Sequence, residues 1–195
     1  MEQDTISKKS RQLRLYFAKT ARDMILESGM EAVSIRNIAA QAGYAYATIY
    51  NHFQNLDELL WLTRDLFMAD IGGHIEKSMA NRTVQGPEEV CLLFGAYAEY
   101  FVKHPSVYRF LYFYPLQKNA KKTRSYVETE AYKAQFAQAF AGLAGQKTPE
   151  EIQNAVQTIL YTIHGLLTLS IAGNDELRID DIPQELRKTI LYLLA

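Results

Sequence analysis

Four histidines and one cysteine are the side chains of this sequence best suited to catalysis or metal binding. A catalytic base needs a nucleophile and an orienting acid, and a metal ion needs several ligands. Neither His-x-x-x-His nor Glu-x-x-His occurs, and the sequence holds no phosphate-binding loop. We therefore predict a protein that is not an enzyme and uses no metal or cofactor. Cys91 cannot form a disulfide framework alone, so we interpret it as a small buried hydrophobe.

A second group of side chains, between residues 46 and 53, suits contacts to nucleic acid instead. On a helical wheel Ile49 and Phe53 share one face, whereas the opposite face and its flanks carry small or hydrogen-bonding groups. These outer residues are Tyr46, Ala47, Thr48, Tyr50 and Asn51. Because no acidic residue interrupts this face, it can approach phosphates and base edges. The pattern predicts a helix that contacts DNA.

The elements that must position this face are two short helices joined by a glycine turn. Ser34 is a favourable N-cap for a helix over 35–42, and Gly43 can adopt the left-handed conformation of a sharp turn. We predict a second helix over 46–53. Together the two helices make a helix-turn-helix unit, although their spacing alone also fits a helical hairpin with no DNA-binding role.

Ahead of this unit lies a basic first helix, predicted over 10–28 and ending at Gly29. Its expected inward stripe consists of Leu15, Ala18, Ala21, Met24 and Ile25, and its leading basic arm consists of Lys8, Lys9, Arg11 and Arg14. Residues 8–55 hold seven basic and three acidic side chains, a net charge of +4, whereas the whole chain carries −1. The positive charge is therefore concentrated where the DNA-binding face is predicted.

The residue types at particular positions between 11 and 60 carry more information than the hydrophobic spacing alone. They are Ile25-Leu26-Glu27-Ser28-Gly29, Ser34-Ile35-Arg36-Asn37-Ile38-Ala39, Ala42-Gly43, Thr48-Ile49-Tyr50-Asn51-His52-Phe53 and Glu58-Leu59-Leu60. In this order and register they resemble the DNA-binding region of the TetR family of transcriptional regulators. Three positions depart from the usual family pattern: Ala45 replaces a capping Ser, Ala47 a Gly, and Leu56 a Lys that meets a phosphate. The first change costs about 1 kcal/mol of helix capping, and the last removes a charged DNA contact.

The resemblance implies which residues form the DNA-binding site. They are Ser34, Arg36, Ala45, Tyr46, Ala47, Thr48, Tyr50, Asn51 and His52. We assign Arg36 and Tyr50 to phosphate contact or its positioning, and Tyr46 and Asn51 to the reading of bases.

Hydrophobic spacing of three and four dominates the whole chain, so we predict an all-α protein of about nine helical segments, with breaks that include Gly72-Gly73. The expected division is a helix-turn-helix DNA-binding domain over 1–56 and a larger helical effector-binding and dimerisation domain over 57–195. Asn55 and Glu58 have capping-box spacing and begin the helix that would join the two. Further along, Tyr161-Thr162-Ile163-His164-Gly165-Leu166 is similar to a segment of some TetR C-terminal domains.

Aromatic residues are unusually dense between positions 94 and 140. An aromatic stripe at helical spacing is usually core, but buried tyrosines need polar partners, which a cavity with water or ligand supplies. The family resemblance implies an effector pocket here, of about 300 Å³ or more. We predict that its wall includes Tyr97, Phe101, Phe113 and His164, and that the effector is a small lipophilic or aromatic molecule. His74 and His104 are interpreted as exposed loop or helix-end residues.

Two apolar segments near the C-terminus, about 150–172 and 183–195, are expected to pair with their copies in a homodimer. The leading hypothesis is a repressor that an effector releases from a palindromic operator in double-stranded DNA. The alternative is a DNA-binding protein of the same fold that acts without an effector, as a structural or cell-cycle factor or an activator. No apolar signal segment or membrane span is found, so we expect no membrane partner and a cytoplasmic protein.

Overall fold

The computed structural model describes residues 8–80, 86–117, 136, 148–173 and 177–194. These residues form helices and turns with no strand, which confirms the predicted all-α class. The helices are α1 (Lys8–Ser28), α2 (Ile35–Ala42), α3 (Tyr46–Tyr50), α4 (Leu56–Met79), α5 (Pro87–Lys103), α6 (Pro105–Phe113), α7 (Pro149–Ile171) and α8 (Ile182–Leu194), with short 3-10 helices at Met30–Ala32 and Ile179–Asp181.

The chain divides into two compact units. Unit 1 consists of Met1–Ala69 and Ser106–Tyr126, and unit 2 consists of Asp70–Pro105 and Val127–Ala195. The predicted domain boundary at residues 56 and 57 stays a prediction. Among the described residues, none of the helices has both the length and the apolar character that crossing a membrane requires.

The core of unit 1 joins α1, α2, α3 and the start of α4. It contains Phe17, Ala21, Met24, Ile38, Ala39, Ala42, Ile49, Phe53 and Leu59. The prediction that Leu15 faces inward is wrong, because its side chain is 37% exposed. Phe17 is fully buried instead, since residues 17, 21 and 24 share one face of the helix and residue 15 lies on another.

Local hydrogen bonds set the ends of α2 as predicted. The Ser34 hydroxyl accepts a hydrogen bond from the Asn37 main-chain N–H at 3.1 Å. Gly43 has a φ of 76° and ends the helix in the left-handed conformation. Helix α3 ends at Tyr50, three residues before the predicted Phe53, because the chain turns there and places Phe53 in the core.

Helix α4 is continuous through Gly72 and Gly73, where the sequence predicted a break. Burial of Ile71 and Ile75 on either side favours an unbroken helix, and this packing outweighs the cost of the two glycines. At its start, the Glu58 N–H donates to Asn55 Oδ1 at 2.9 Å, as the capping-box spacing predicted. The Glu58 carboxylate accepts a hydrogen bond at 2.7 Å from the main-chain N–H of Gln54, one residue before Asn55, whose N–H would donate in a complete capping box.

Unit 2 is built on α5, α7 and α8, which pack through apolar faces. A capping box between Thr148 and Glu151 begins α7. The fully or almost fully buried residues include Val90, Phe94 and Phe101 of α5, Ile159, Ile163 and Leu167 of α7, and Ile182, Leu186 and Ile190 of α8.

Candidate DNA-binding interface

Helix α3 and the turn before it present three tyrosines to solvent. The exposed fractions are 62% for Tyr46, 53% for Tyr50 and 43% for Tyr44. The rings of Tyr46 and Tyr50 stand edge to face, with centroids 6.4 Å apart. On the opposite side, the fully buried Ile49 anchors the helix in the core of unit 1. The helix therefore has one face fixed to the protein and one face open to a partner.

The other predicted DNA-binding residues are either exposed or half-buried. Arg36, Ala45, Ala47 and Asn51 are exposed, and Thr48 is half-buried. The Ser34 hydroxyl caps α2, and His52 Nδ1 lies 3.0 Å from the Ser10 hydroxyl. The contacts of Ser34 and His52 are thus made within the protein, where they stabilise the helix-turn-helix.

The charged side chains of α2, α3 and the first two turns of α1 are all basic. No Asp or Glu occurs from residue 32 to residue 56. Arg36 is exposed in the first turn of α2, and Lys8, Lys9 and Arg11 are exposed at the start of α1. A polyanion approaching α2 and α3 therefore meets no carboxylate from this stretch of the chain.

Arg14 does not belong to the exposed basic arm predicted from the sequence. Its guanidinium donates to the main-chain oxygen of His52 and, at 2.9 Å, to Glu58 Oε1. It also lies 4.2 Å from the centroid of the Phe53 ring. Leu56, where the family pattern has Lys, packs half-buried against the core of unit 1.

Tyr44 is a surface residue that the sequence analysis missed. Its ring packs edge to face on Phe17 at 5.3 Å and on Tyr16 at 6.2 Å. An open groove of about 300 Å³ beside it is lined by Lys9, Gln12, Leu13, Tyr16 and Tyr44. The signal in the sequence was an aromatic residue directly after the turn glycine, within the stretch that lacks carboxylates.

Three of the four predicted effector-binding residues belong to unit 2. Tyr97 and Phe101 are buried and meet edge to face at 5.2 Å, and the Tyr97 hydroxyl lies 3.4 Å from His164 Nε2. Burial lowers the pKa of His164 to about 4, so its imidazole is neutral at pH 7. Phe113 belongs to unit 1, where it is 56% exposed and packs edge to face on Tyr108 at 5.8 Å. The role of all four residues stays a prediction.

The other two histidines and the cysteine of unit 2 are half-buried. His74 lies within α4, half-buried, with Nε2 3.4 Å from Glu99 Oε2, so the prediction of a loop or helix-end position is wrong for it. His104 does follow the last residue of α5, but it is half-buried, and desolvation lowers its pKa. Cys91 is half-buried rather than buried, and desolvation raises the pKa of its thiol. Within the described part of the chain, no three His, Cys, Asp or Glu side chains are grouped as metal ligands.

Comparison with known proteins gives a match at the helix-turn-helix. Residues 18–60 match the family model of the bacterial regulatory proteins of the tetR family. No curated protein matches the sequence. Solved structures are similar over nearly the whole length, so the fold can be compared directly.

One similar structure is a protein of unknown function from Rhodococcus sp. RHA1, with a TM-score of 0.73 and 19% identity over 98% of each chain. Another is a TetR-family transcriptional regulator from Rhodococcus sp., with a TM-score of 0.70 and 15% identity over 94% of this chain and 100% of the other. A third is the fatty acid degradation regulator FadR from Bacillus halodurans, with a TM-score of 0.67 and 18% identity over 97% and 96%. Residues 18–60 thus match the model of the N-terminal region of the tetR family, and the chain as a whole has the fold of solved TetR-family transcriptional regulators.

Proposed function

We propose that the protein is a homodimeric transcription regulator whose α3 reads a palindromic operator in double-stranded DNA. The observation that carries the proposal is the exposed face of α2 and α3, with three open tyrosines and no carboxylate between residues 32 and 56. The helix-turn-helix places its second helix in the major groove in proteins of this kind. In this assignment, Tyr46 and Asn51 contact base edges, whereas Arg36 and Tyr50 contact phosphates.

Exposed apolar side chains on α7 and α8 support the homodimer. Tyr161 and Leu169 are 69% and 48% exposed, and they flank the exposed Gly165 on one face of α7. Apart from the backbone of its own helix, no atom of the described residues would lie within 4 Å of a Cβ at Gly165, so a second helix has room to approach closely there. Leu191 and Tyr192 of α8 are also exposed. Large apolar groups on open helix faces favour burial against a partner, and a two-fold axis would give two α3 helices for two half-sites.

The effector part of the proposal rests on the aromatic cluster of unit 2. A neutral His164 beside the Tyr97 hydroxyl gives a polar contact within an apolar surrounding of Phe101 and Phe136. Such a combination suits a small lipophilic or aromatic ligand better than an anion, because the described residues of this cluster carry no cation. We propose a cytoplasmic repressor without enzymatic activity that loses operator affinity when this ligand binds. Regulation without an effector is the alternative.

Operator binding is tested by selecting sites from random and genomic DNA and then titrating a labelled site by fluorescence anisotropy. We expect a palindromic site whose logarithmic affinity falls with the logarithm of salt concentration, by a slope of about 0.9 for each phosphate neutralised. R36A and Y50A should weaken all sites alike, whereas Y46A and N51A should change the preference between sites.

The matched control is R178A, which removes an equally exposed arginine from unit 2 and should leave DNA affinity unchanged. Failure of the wild-type protein to bind any DNA at low salt would overturn the proposed function. Equal losses on every site for all four variants would overturn only the assignment of base-reading residues.

A further inference from the structure

We propose that Arg14 is a positioning residue that fixes the recognition helix α3 for DNA binding and does not itself contact DNA. This inference rests on the proposed DNA-binding function. Arg14 itself lies before the matched residues 18–60, whereas its partners His52, Phe53 and Glu58 lie within them.

The Arg14 guanidinium connects three parts of unit 1. From α1 it donates one hydrogen bond to the main-chain oxygen of His52, directly after α3, and another to Glu58 in the first turn of α4. Its planar group also lies 4.2 Å from the centroid of the Phe53 ring. The side chains of Arg14 and Glu58 are only 21% and 29% exposed, so water screens their attraction less than it would at an open surface.

Glu58 completes the arrangement on the other side of the turn. Its second carboxylate oxygen accepts a hydrogen bond from the Gln54 N–H at 2.7 Å, and its own N–H donates to Asn55 Oδ1 at 2.9 Å. The main chain between α3 and α4 is thus held by Arg14 at His52 and by Glu58 at Gln54. One helical turn earlier in α1, the Ser10 hydroxyl adds a contact to the His52 ring at 3.0 Å.

Helix α3 needs this external support because it has little stability of its own. It spans five residues, and Ala45 provides no side-chain hydrogen bond at its N-cap. A helix of this length does not persist without tertiary contacts. Ile49 and Phe53 fix the depth of α3 in the core, and the Arg14 contacts fix its C-terminal end.

Arginine is specifically suited to this position. Its fork donates in two directions while its flat face packs on an aromatic ring, whereas a lysine ammonium is a point charge on a flexible stem. R14K would therefore keep the charge and lose the geometry. The exposed Arg11, one turn earlier on the same helix, serves as the matched control.

The experiment measures the affinity for a selected operator over a range of salt concentrations for wild type, R14K, R14Q and R11Q. We expect R14K and R14Q to bind about tenfold more weakly or worse, with the salt slope of the wild type. R11Q should instead make the slope shallower, by about 0.9 if Arg11 neutralises one phosphate. A shallower slope for R14Q, or wild-type affinity for R14K, would overturn the proposal.

Hydrogen exchange without DNA gives a second readout that does not depend on operator binding. Amide hydrogens of residues 46–55 should exchange faster in R14K and R14Q than in wild type and R11Q, while those of α5 and α7 stay unchanged. E58Q keeps a hydrogen-bond acceptor at residue 58 but removes its charge, so it should show the same faster exchange to a smaller degree. This variant also tests the proposal if the Arg14 variants do not fold. Unchanged exchange in all three variants would overturn the positioning role. If wild type binds no DNA while exchange changes as expected, the proposed function fails and the structural role of Arg14 stands.

Discussion

At the scale of single residues, the burial of His164 makes the stability of the protein depend on pH. An unfolded histidine has a pKa near 6.5, and burial lowers the pKa of His164 to about 4. Between these values the unfolded chain binds a proton that the folded chain does not. The stabilisation is therefore complete above about pH 6.5 and is lost as the pH falls towards 4.

We expect the free energy of unfolding to fall by up to about 2 kcal/mol from pH 7 to pH 5 through this residue. Urea unfolding at the two pH values measures it, and H164Q should remove most of this difference. H104Q replaces another half-buried histidine of unit 2, so it is the control and should keep most of the difference. A pH dependence as steep in H164Q as in wild type would contradict the assignment.

The residue roles that sequence could predict are those with partners close along the chain. The cap at Ser34, the turn at Gly43 and the bond between Asn55 and Glu58 all lie within three residues of their partners or need none. Arg14 was misassigned to the basic arm because its partners His52 and Glu58 are 38 and 44 residues away. No local pattern contains that information, since only the fold brings these residues together.

At the scale of elements, the course of α4 shows how packing overrides local preference. Glycine in a helix interior costs up to about 1 kcal/mol relative to alanine, so the Gly72-Gly73 pair predicted a break. The helix nevertheless continues to Met79. For α3 the sequence instead predicted a helix that is too long. The helical spacing of apolar residues continues to Phe53, but the helix ends at Tyr50 and a turn follows at residues 51 and 52. In both cases the ends of a helix depended on contacts that periodicity does not describe.

Replacing Gly73 with alanine would measure the free-energy cost of glycine within α4. Apart from the backbone of its own helix, no atom of the described residues would lie within 4 Å of a Cβ at this position, so G73A should gain helix propensity without a clash. We expect a gain of up to about 1 kcal/mol, which raises Tm by about 2–4 °C. The control is G43A, which should lower Tm because residue 43 has a φ of +76°. A lower Tm for G73A would show that α4 requires glycine there for another reason.

At the scale of the whole molecule, we predict that the exposed residues of α7 and α8 form the dimer interface. Leu191 is 37% exposed, so L191E should leave the subunit folded and weaken the dimer. Ile163 on α7 is fully buried, so I163E should cost several kcal/mol of folding stability and serves as the contrasting variant. Light scattering at micromolar concentration separates the two results. A monomeric wild-type protein would remove the dimer and the two-half-site geometry with it.

The helical class and the helix-turn-helix followed from sequence because both depend on local periodicity and turn chemistry. The grouping of the four residues predicted to bind an effector followed only in part. Tyr97 and His164 were named together and do meet, but Phe113 belongs to unit 1 and is largely exposed. An aromatic count predicts that rings cluster, and it does not predict which ring joins which cluster.

The contacts of Arg14 also bear on how short a fragment of this protein can be and still bind DNA. The family match begins at residue 18, and the helix-turn-helix itself begins later still. A fragment cut at either point would keep the exposed residues of α2 and α3 but lose the basic start of α1 and the Arg14 side chain that contacts the end of α3. Under the proposed role of Arg14, the shortest fragment that keeps α3 in its DNA-binding position begins before Ser10 and ends after Glu58. The bounds of that fragment therefore differ from the bounds of the family match.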